Sequence, residues 1–355
     1  MQILTRVYRG GHLESFHTGS IAVVSSTGRL LAFAGDPSFA TCLRSASKPF
    51  QAIPLLEYGG VDEYDLSGEE IALTCGSHGG EPFHVSTAAA LLRKGEFDES
   101  DLLCGAHIPY DEKAAADLRA AGEEPSALHS NCSGKHAGML LASQAMDAPT
   151  ANYIEELHPI QILSRSTLAD FAGVAAADIA TSIDGCSIPA LHLTMYRTAL
   201  AYARLMATSQ GSASPGALER YVTSAAHIVD SMTTYSEYVA GSWSITTALM
   251  QSFDGRLLAK EGAEGFYAMA LSPELAATLT DRLRLSDDGA IGIALKIHDG
   301  SIARARNPVI VKTLQSIGID TSSLTELEPY LDPSILNVVG TRVGEVRAEF
   351  DLEVL

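Results

Sequence analysis

The sequence predicts an α+β fold: one antiparallel sheet built from N- and C-terminal strands, with a helical middle region packed on it. Three observations point there. β-prone apolar runs occupy residues 1–40 and 255–355, segments with alanine and leucine at helical spacing fill 45–253, and no internal repeat or low-complexity linker divides the 355 residues. A single domain spanning 1–355 is expected.

Residues 5–35 read as strands, and "GSIAVVSSTGRLLAFAG" carries two apolar runs separated by "SSTG", a hairpin signal. "KPFQAIPLLEYG", "FHVSTAAALLRKG", "EKAAADLRAAG", "KHAGMLLASQAM" and "IQILSRSTLADFAG" follow as helices, several with glycine near the end. "PALHLTMYRTALAYARLMA", after Pro189, predicts the clearest helix of the chain. The polar stretch "TSQGSASPGALE" interrupts before further helices at about 217–252. Strands return in "GRLLAKEG", "GAIGIALKIHDG" and the alternating "LNVVGTRVGEVRAEF", with "SIARARNPVIVKTLQSIG" helical between the last two.

Composition excludes several classes. With 46% hydrophobic and 19% charged residues the chain is globular rather than disordered. A formal charge of −19, without a Lys/Arg-rich run, argues against nucleic acid or an anionic membrane as partner. The opening "MQILTRVYRGGHLESFHTG" lacks the pattern of a secretory signal, and no apolar run is long enough to span a bilayer. Five cysteines, at 42, 75, 104, 132 and 186, do not form a disulfide framework, so a reducing cytoplasm is expected.

The stretch "RSASKPFQ" holds Ser45 and Lys48, three apart at a helix start, where both face one side. A serine hydroxyl attacks only when a base takes its proton, and lysine is that base only when burial or a neighbouring cation leaves it neutral. The motif is cheap: 35 serines and 7 lysines supply about 0.7 such pairs by chance. Its bland reading is a helix cap with a solvated lysine. Two further lysines lie in unusual surroundings, Lys260 in "LLAKEGAEG" and Lys135 in "HSNCSGKHAG". The order S-x-x-K, Ser-Asn, K-x-G resembles the three-motif set of serine β-lactamases, with Glu261 in place of the KTG threonine and the S-D-N spacing not kept.

Five blocks together, "LRSASKPFQ", "LTCGSHGGEPFH", "HSNCSGKHAGML", "DGCSIPALHL" and "AKEGAEG", resemble the asparaginase II family of bacterial L-asparaginases from about residue 5 to the C-terminus. The resemblance implies a β-lactamase-like fold, hydrolysis of the L-asparagine side-chain amide to L-aspartate and ammonia, and a homodimer. It also implies two Ser-Lys pairs in one site, Ser45 with Lys48 and Ser77 with Lys260. Two adjacent ammonium groups disfavour each other's charge, which helps leave one neutral. Ser45 is expected as nucleophile, Lys48 as its base, and Ser77 with Lys260 as the relay to the leaving ammonia; exchanged serine roles remain open. Backbone N–H groups after Ser45 suit an oxyanion.

Asparagine carries an α-carboxylate and an α-ammonium. Arg44 suits a bidentate carboxylate contact, and His136 is a second substrate-binding candidate; either has an ordinary structural alternative. Cys132, Lys135 and Cys186 do not make a usual zinc signature and read from sequence as buried thiols lining a pocket. The resemblance points instead to zinc held by these three beside the active site, with Asp184 orienting or completing the shell, and to no organic cofactor. Two alternatives stand beside this reading: a glutaminase or other serine acyl hydrolase on the same fold, and a non-catalytic zinc- or thiol-binding protein.

Overall fold

Alternating residues at the N-terminus become the strands Gln2–Arg9, His12–Ser25 and Leu30–Ala34. The structure is a computed structural model that describes residues 1–212, 216–285 and 289–355. Of the polar stretch at 208–219, residues 213–215 lie outside the described residues. Two compact units make up the chain: Met1–Leu43 with Leu193–Ala207 and Ala259–Leu355, and Arg44–His192 with Thr208–Leu258.

In the first unit both chain ends join one sheet. Gln2–Arg9 pairs antiparallel with Arg342–Ala348, Val7 opposite Val346, and with His12–Ser25. Ile291–Ile297 lies on the far side of His12–Ser25, Ala294 opposite Ala22, and Phe266–Leu271 pairs with it in turn. Leu257–Glu261 completes that edge, and Ser334–Leu336 the other. The expected hairpin forms, and Gly28 at φ +94° closes its turn while the Gly28 N–H donates to Ser25 O at 2.9 Å. Every residue of Ile291–Ile297 is buried, which accounts for a run without alternation. The helix Met195–Ser209 packs here so closely that a Cβ on Gly292 would meet Ala199 O at 1.8 Å. The segment 301–318 splits into a π-helical turn, Ile302–Arg306, and the helix Asn307–Ile317.

The second unit is helical. Lys48–Glu57 is its centre, buried on nearly all sides, with Phe50 against Phe171 of Pro159–Ala172 at 5.5 Å between rings. Gly68–Thr74 starts with a capping box of Ser67 and Glu70. Pro82–Lys94, Glu112–Ala121, Ser133–Ala145, Val222–Thr234 and Ile245–Ser252 occupy the segments expected to be helical. Glu112–Ala121 and Pro159–Ala172 end on left-handed Gly122 and Gly173. Ser133–Ala145 meets Gly68–Thr74 through two glycines: a Cβ on Gly134 would lie 2.5 Å from Leu73, and one on Gly138 2.8 Å from Thr74. That contact fixes the loop after Thr74 relative to the helix bearing Lys135.

The helix expected from Pro189 begins only at Met195. Pro189–Thr194 is a strand, paired with Thr181–Ile183 so that Ala190 faces Ser182. Its apolar residues satisfy either period, and the partner strand decides between them. The sequence predicts no element at Phe266–Leu271, because all six residues are buried and no alternation shows.

Candidate active site

The chain enters the second unit through a 3-10 turn, Arg44–Ser47, that runs into the helix Lys48–Glu57. Arg44 adopts a left-handed φ of +50°. Ser47 Oγ donates to Arg44 O at 2.8 Å and closes the turn, leaving Ser45 half-buried at its middle.

Lys48 is buried. Its Nζ donates to Gly76 O, to Ser77 Oγ at 2.9 Å and to Asn131 O at 3.2 Å. Among the described residues it makes no hydrogen bond to Ser45. Spacing of three places Ser45 and Lys48 on one side, but the lysine stem runs across to the 75–80 loop instead. Two backbone carbonyls and the Ser77 hydroxyl oxygen thus surround Nζ. Ser77 is held from behind, its N–H donating to Val239 O at 2.7 Å.

His78 follows, fully buried. The Gly80 N–H donates to its Nδ1 at 3.2 Å, which assigns the proton to Nε2; that nitrogen lies 2.9 Å from Ser133 Oγ. The Ser133 hydroxyl donates in turn to Leu128 O at 3.0 Å. Burial, then the His84 and Lys48 charges, hold the His78 pKa well below the usual value, so the ring is neutral.

The other expected residues are placed as follows. Arg44 Nε donates to Asp184 Oδ1 at 2.9 Å, and the Gly185 N–H donates to the same oxygen at 2.6 Å. The Arg44 and Asp184 side chains retain 31% and 15% of their exposure, so the pair faces solvent rather than the core. His136 is fully buried; its Nδ1 meets Tyr153 Oη at 2.7 Å, and among the described residues its Nε2 has no hydrogen-bond partner. Burial, with the Lys135 and Lys48 charges, keeps that ring neutral as well.

Cys132 stands just before the helix Ser133–Ala145, and Lys135 Nζ donates to Cys186 Sγ at 3.0 Å. The hydrogen bond from Cys186 pulls the Cys132 thiol well below its ordinary pKa against the effect of burial, with Lys135 assisting. The same contact and burial push Cys186 up. Burial lowers Lys135, but Cys132, Cys186 and Asp184 outweigh it and raise the pKa. Two sulfurs and one nitrogen fit a thiophilic divalent cation once Cys186 and Lys135 release their protons. Among the described residues no group of three His, Cys, Asp or Glu side chains converges, because the third donor here is a lysine.

Lys260 belongs to the first unit, buried in the strand Leu257–Glu261 with Nζ 3.3 Å from Glu261 O. Glu261, at the position of the KTG threonine, is paired with buried Arg306 at 3.5 Å. Residues absent from the sequence reading are His78, Ser133, Tyr153 and Arg306. For His78 a signal existed: it is the one bulky side chain in "CGSHGG".

The chain matches L-asparaginase II over residues 5–348 and belongs to the asparaginase II family. Membership supports amidohydrolase activity. No curated protein matches the chain. Among solved structures it is similar to Mglu in its native form (17% identity, TM-score 0.45, covering 86% of this chain and 67% of that one). It is also similar to a Bacillus glutaminase (13% identity, TM-score 0.37, covering 84% and 90%). The chain spans 58–67% of the length of the Mglu chains it matches. Among the described residues no helix is long and apolar enough to cross a membrane.

Proposed function

We propose that the protein is an L-asparaginase that hydrolyses the side-chain amide of L-asparagine to L-aspartate and ammonia through a serine acyl-enzyme. One observation carries the mechanism: the Lys48 amine, held by two carbonyls, faces the Ser77 hydroxyl at 2.9 Å. Lys48 takes the Ser77 proton as Oγ attacks the amide carbon, and the proton passes to the departing ammonia. Water, activated the same way, then releases aspartate and restores the serine. On the family resemblance, which pairs Ser45 with Lys48 and Ser77 with Lys260, Ser45 and Lys260 are assigned an assisting part in protonating ammonia. The expected roles of the two serines are thereby exchanged.

Arg44 is assigned the substrate α-carboxylate, with Asp184 orienting its guanidinium and accepting from the α-ammonium. His136, buried and bonded to Tyr153, shapes the wall behind. Zinc held by Cys132, Cys186 and Lys135 would supply a fixed positive charge and hold these three side chains in place. Five cysteines, none in a disulfide, support a reducing, cytoplasmic setting, and the family resemblance a homodimer.

The test is ammonia release from L-asparagine and L-glutamine by the purified protein, with bound zinc quantified on the same samples. Turnover of asparagine with zinc retained supports the reading. Preference for glutamine replaces the substrate, and zinc without any turnover replaces the enzyme by a metal-binding protein.

A further inference from the structure

We propose that His78 is a positioning residue that sets the Ser77 hydroxyl against Lys48 by tying the 75–80 loop to Ser133. The inference rests on the reading of Ser77 as nucleophile and adds a residue which that reading does not use. Several contacts tie the loop to its surroundings. The Lys48 amine donates to Gly76 O, the Ser77 N–H donates to Val239 O at 2.7 Å, the Asp111 N–H donates to Gly79 O at 2.9 Å, and the His78 ring spans Gly80 N and Ser133 Oγ. Three of these use loop backbone alone. His78 is different, because it is a loop side chain, rather than loop backbone, that reaches the first residue of the helix Ser133–Ala145.

That contact matters to the base. Asn131 O, the third acceptor of Lys48, lies two residues before Ser133, whose N–H donates to Ser130 O at 2.9 Å. Lys48 therefore bridges the loop and the segment entering this helix, and His78 bridges the same two pieces close by. The two bridges share the load of fixing the Ser77 Oγ to Nζ distance. A neutral imidazole fits this position because it offers one acceptor and one donor in rigid opposition, and no charge that would compete with Lys48. The ring stacks on His84 at 4.8 Å and 16°, which fixes its plane. Loss of this bridge leaves both peptide segments in place but frees the serine to drift, and a misplacement near 1 Å costs about 100-fold in rate.

The experiment compares His78→Phe, His78→Gln and Ser133→Ala with the wild type, reading kcat and KM for L-asparagine together with amide exchange across residues 75–79. His78→Phe fills the space without hydrogen bonds, and His78→Gln returns a donor at the Nε2 position. Ser133→Ala removes the acceptor with little change in volume, and is the variant to rely on if His78→Phe does not fold. Expected are a kcat loss of about 10- to 100-fold in His78→Phe and Ser133→Ala with KM within about threefold. Exchange at the Ser77 amide should quicken, and His78→Gln should recover most of both. Unchanged Ser77 exchange in Ser133→Ala, or a His78→Gln no better than His78→Phe, overturns the proposal. If the wild type releases no ammonia, the asparaginase reading falls, while the exchange comparison still decides whether His78 fixes the serine.

Discussion

Replacing Ser77 with alanine should separate activity from stability. Ser77 is 6% exposed, and the change removes one hydrogen bond while Lys48 keeps its two carbonyl acceptors. A hydrogen bond of this kind contributes about 0.5–1.5 kcal/mol, which in a chain of this size lowers Tm by no more than about 6 °C. Loss of a nucleophile costs at least about 10³-fold in kcat, or about 4 kcal/mol of barrier at 1.36 kcal/mol per factor of ten. The chemistry thus suffers several times more than the fold. Ser45→Ala, at a half-buried position without a bond to Lys48, should cost about 10²-fold, as for loss of a proton-transfer group. Ammonia release and a thermal melt on both variants make the comparison. A Ser77→Ala enzyme with more than a tenth of wild-type kcat, beside an inert Ser45→Ala, would refute the assignment and return Ser45 to the nucleophile role.

Asp184→Asn weakens the hold on the Arg44 guanidinium and should raise KM for asparagine about tenfold with kcat little changed, a split visible in steady-state kinetics. Gly292→Ala drives a methyl into Ala199 O, 1.8 Å away, and should cost at least about 3 kcal/mol in urea unfolding; a midpoint within error of the wild type would contradict that packing. His78 and His84 both have pKa values lowered by burial in the folded chain, so the unfolded chain binds more protons. Their contribution is complete above the unfolded value near 6.5 and is lost as pH falls below it. Between pH 7.5 and 5.5 the wild type should therefore lose more stability than His78→Gln, and equal losses would exclude His78 as a contributor.

Much of the fold was legible because local signals and tertiary placement agree. The helices of the second unit keep 3.6-residue spacing, three of them ending on glycine, and the terminal strands alternate where one face is wet. Legibility fails where burial is complete, as in Phe266–Leu271, or where a partner strand overrides helical spacing, as in Pro189–Thr194. The site follows the same rule. Ser45, Lys48, Ser77 and the cysteines stand in compact motifs, whereas the choice of Lys48 for Ser77 spans 29 residues and depends on the glycine-mediated approach of two helices. No spacing encodes that choice. His78 was hidden for a similar reason, since its partner Ser133 is 55 residues away.

The left-handed backbone at Arg44 carries an evolutionary corollary. An L-residue bearing a side chain loses about 1–2 kcal/mol in that conformation relative to one that avoids it, and glycine adopts it freely. Arg44→Gly would relax the turn in front of Ser45 and abolish the guanidinium held by Asp184. Selection for heat resistance alone would push this position toward glycine, and selection for growth on the substrate would push it back. Under alternating regimes, position 44 would record which demand had last prevailed.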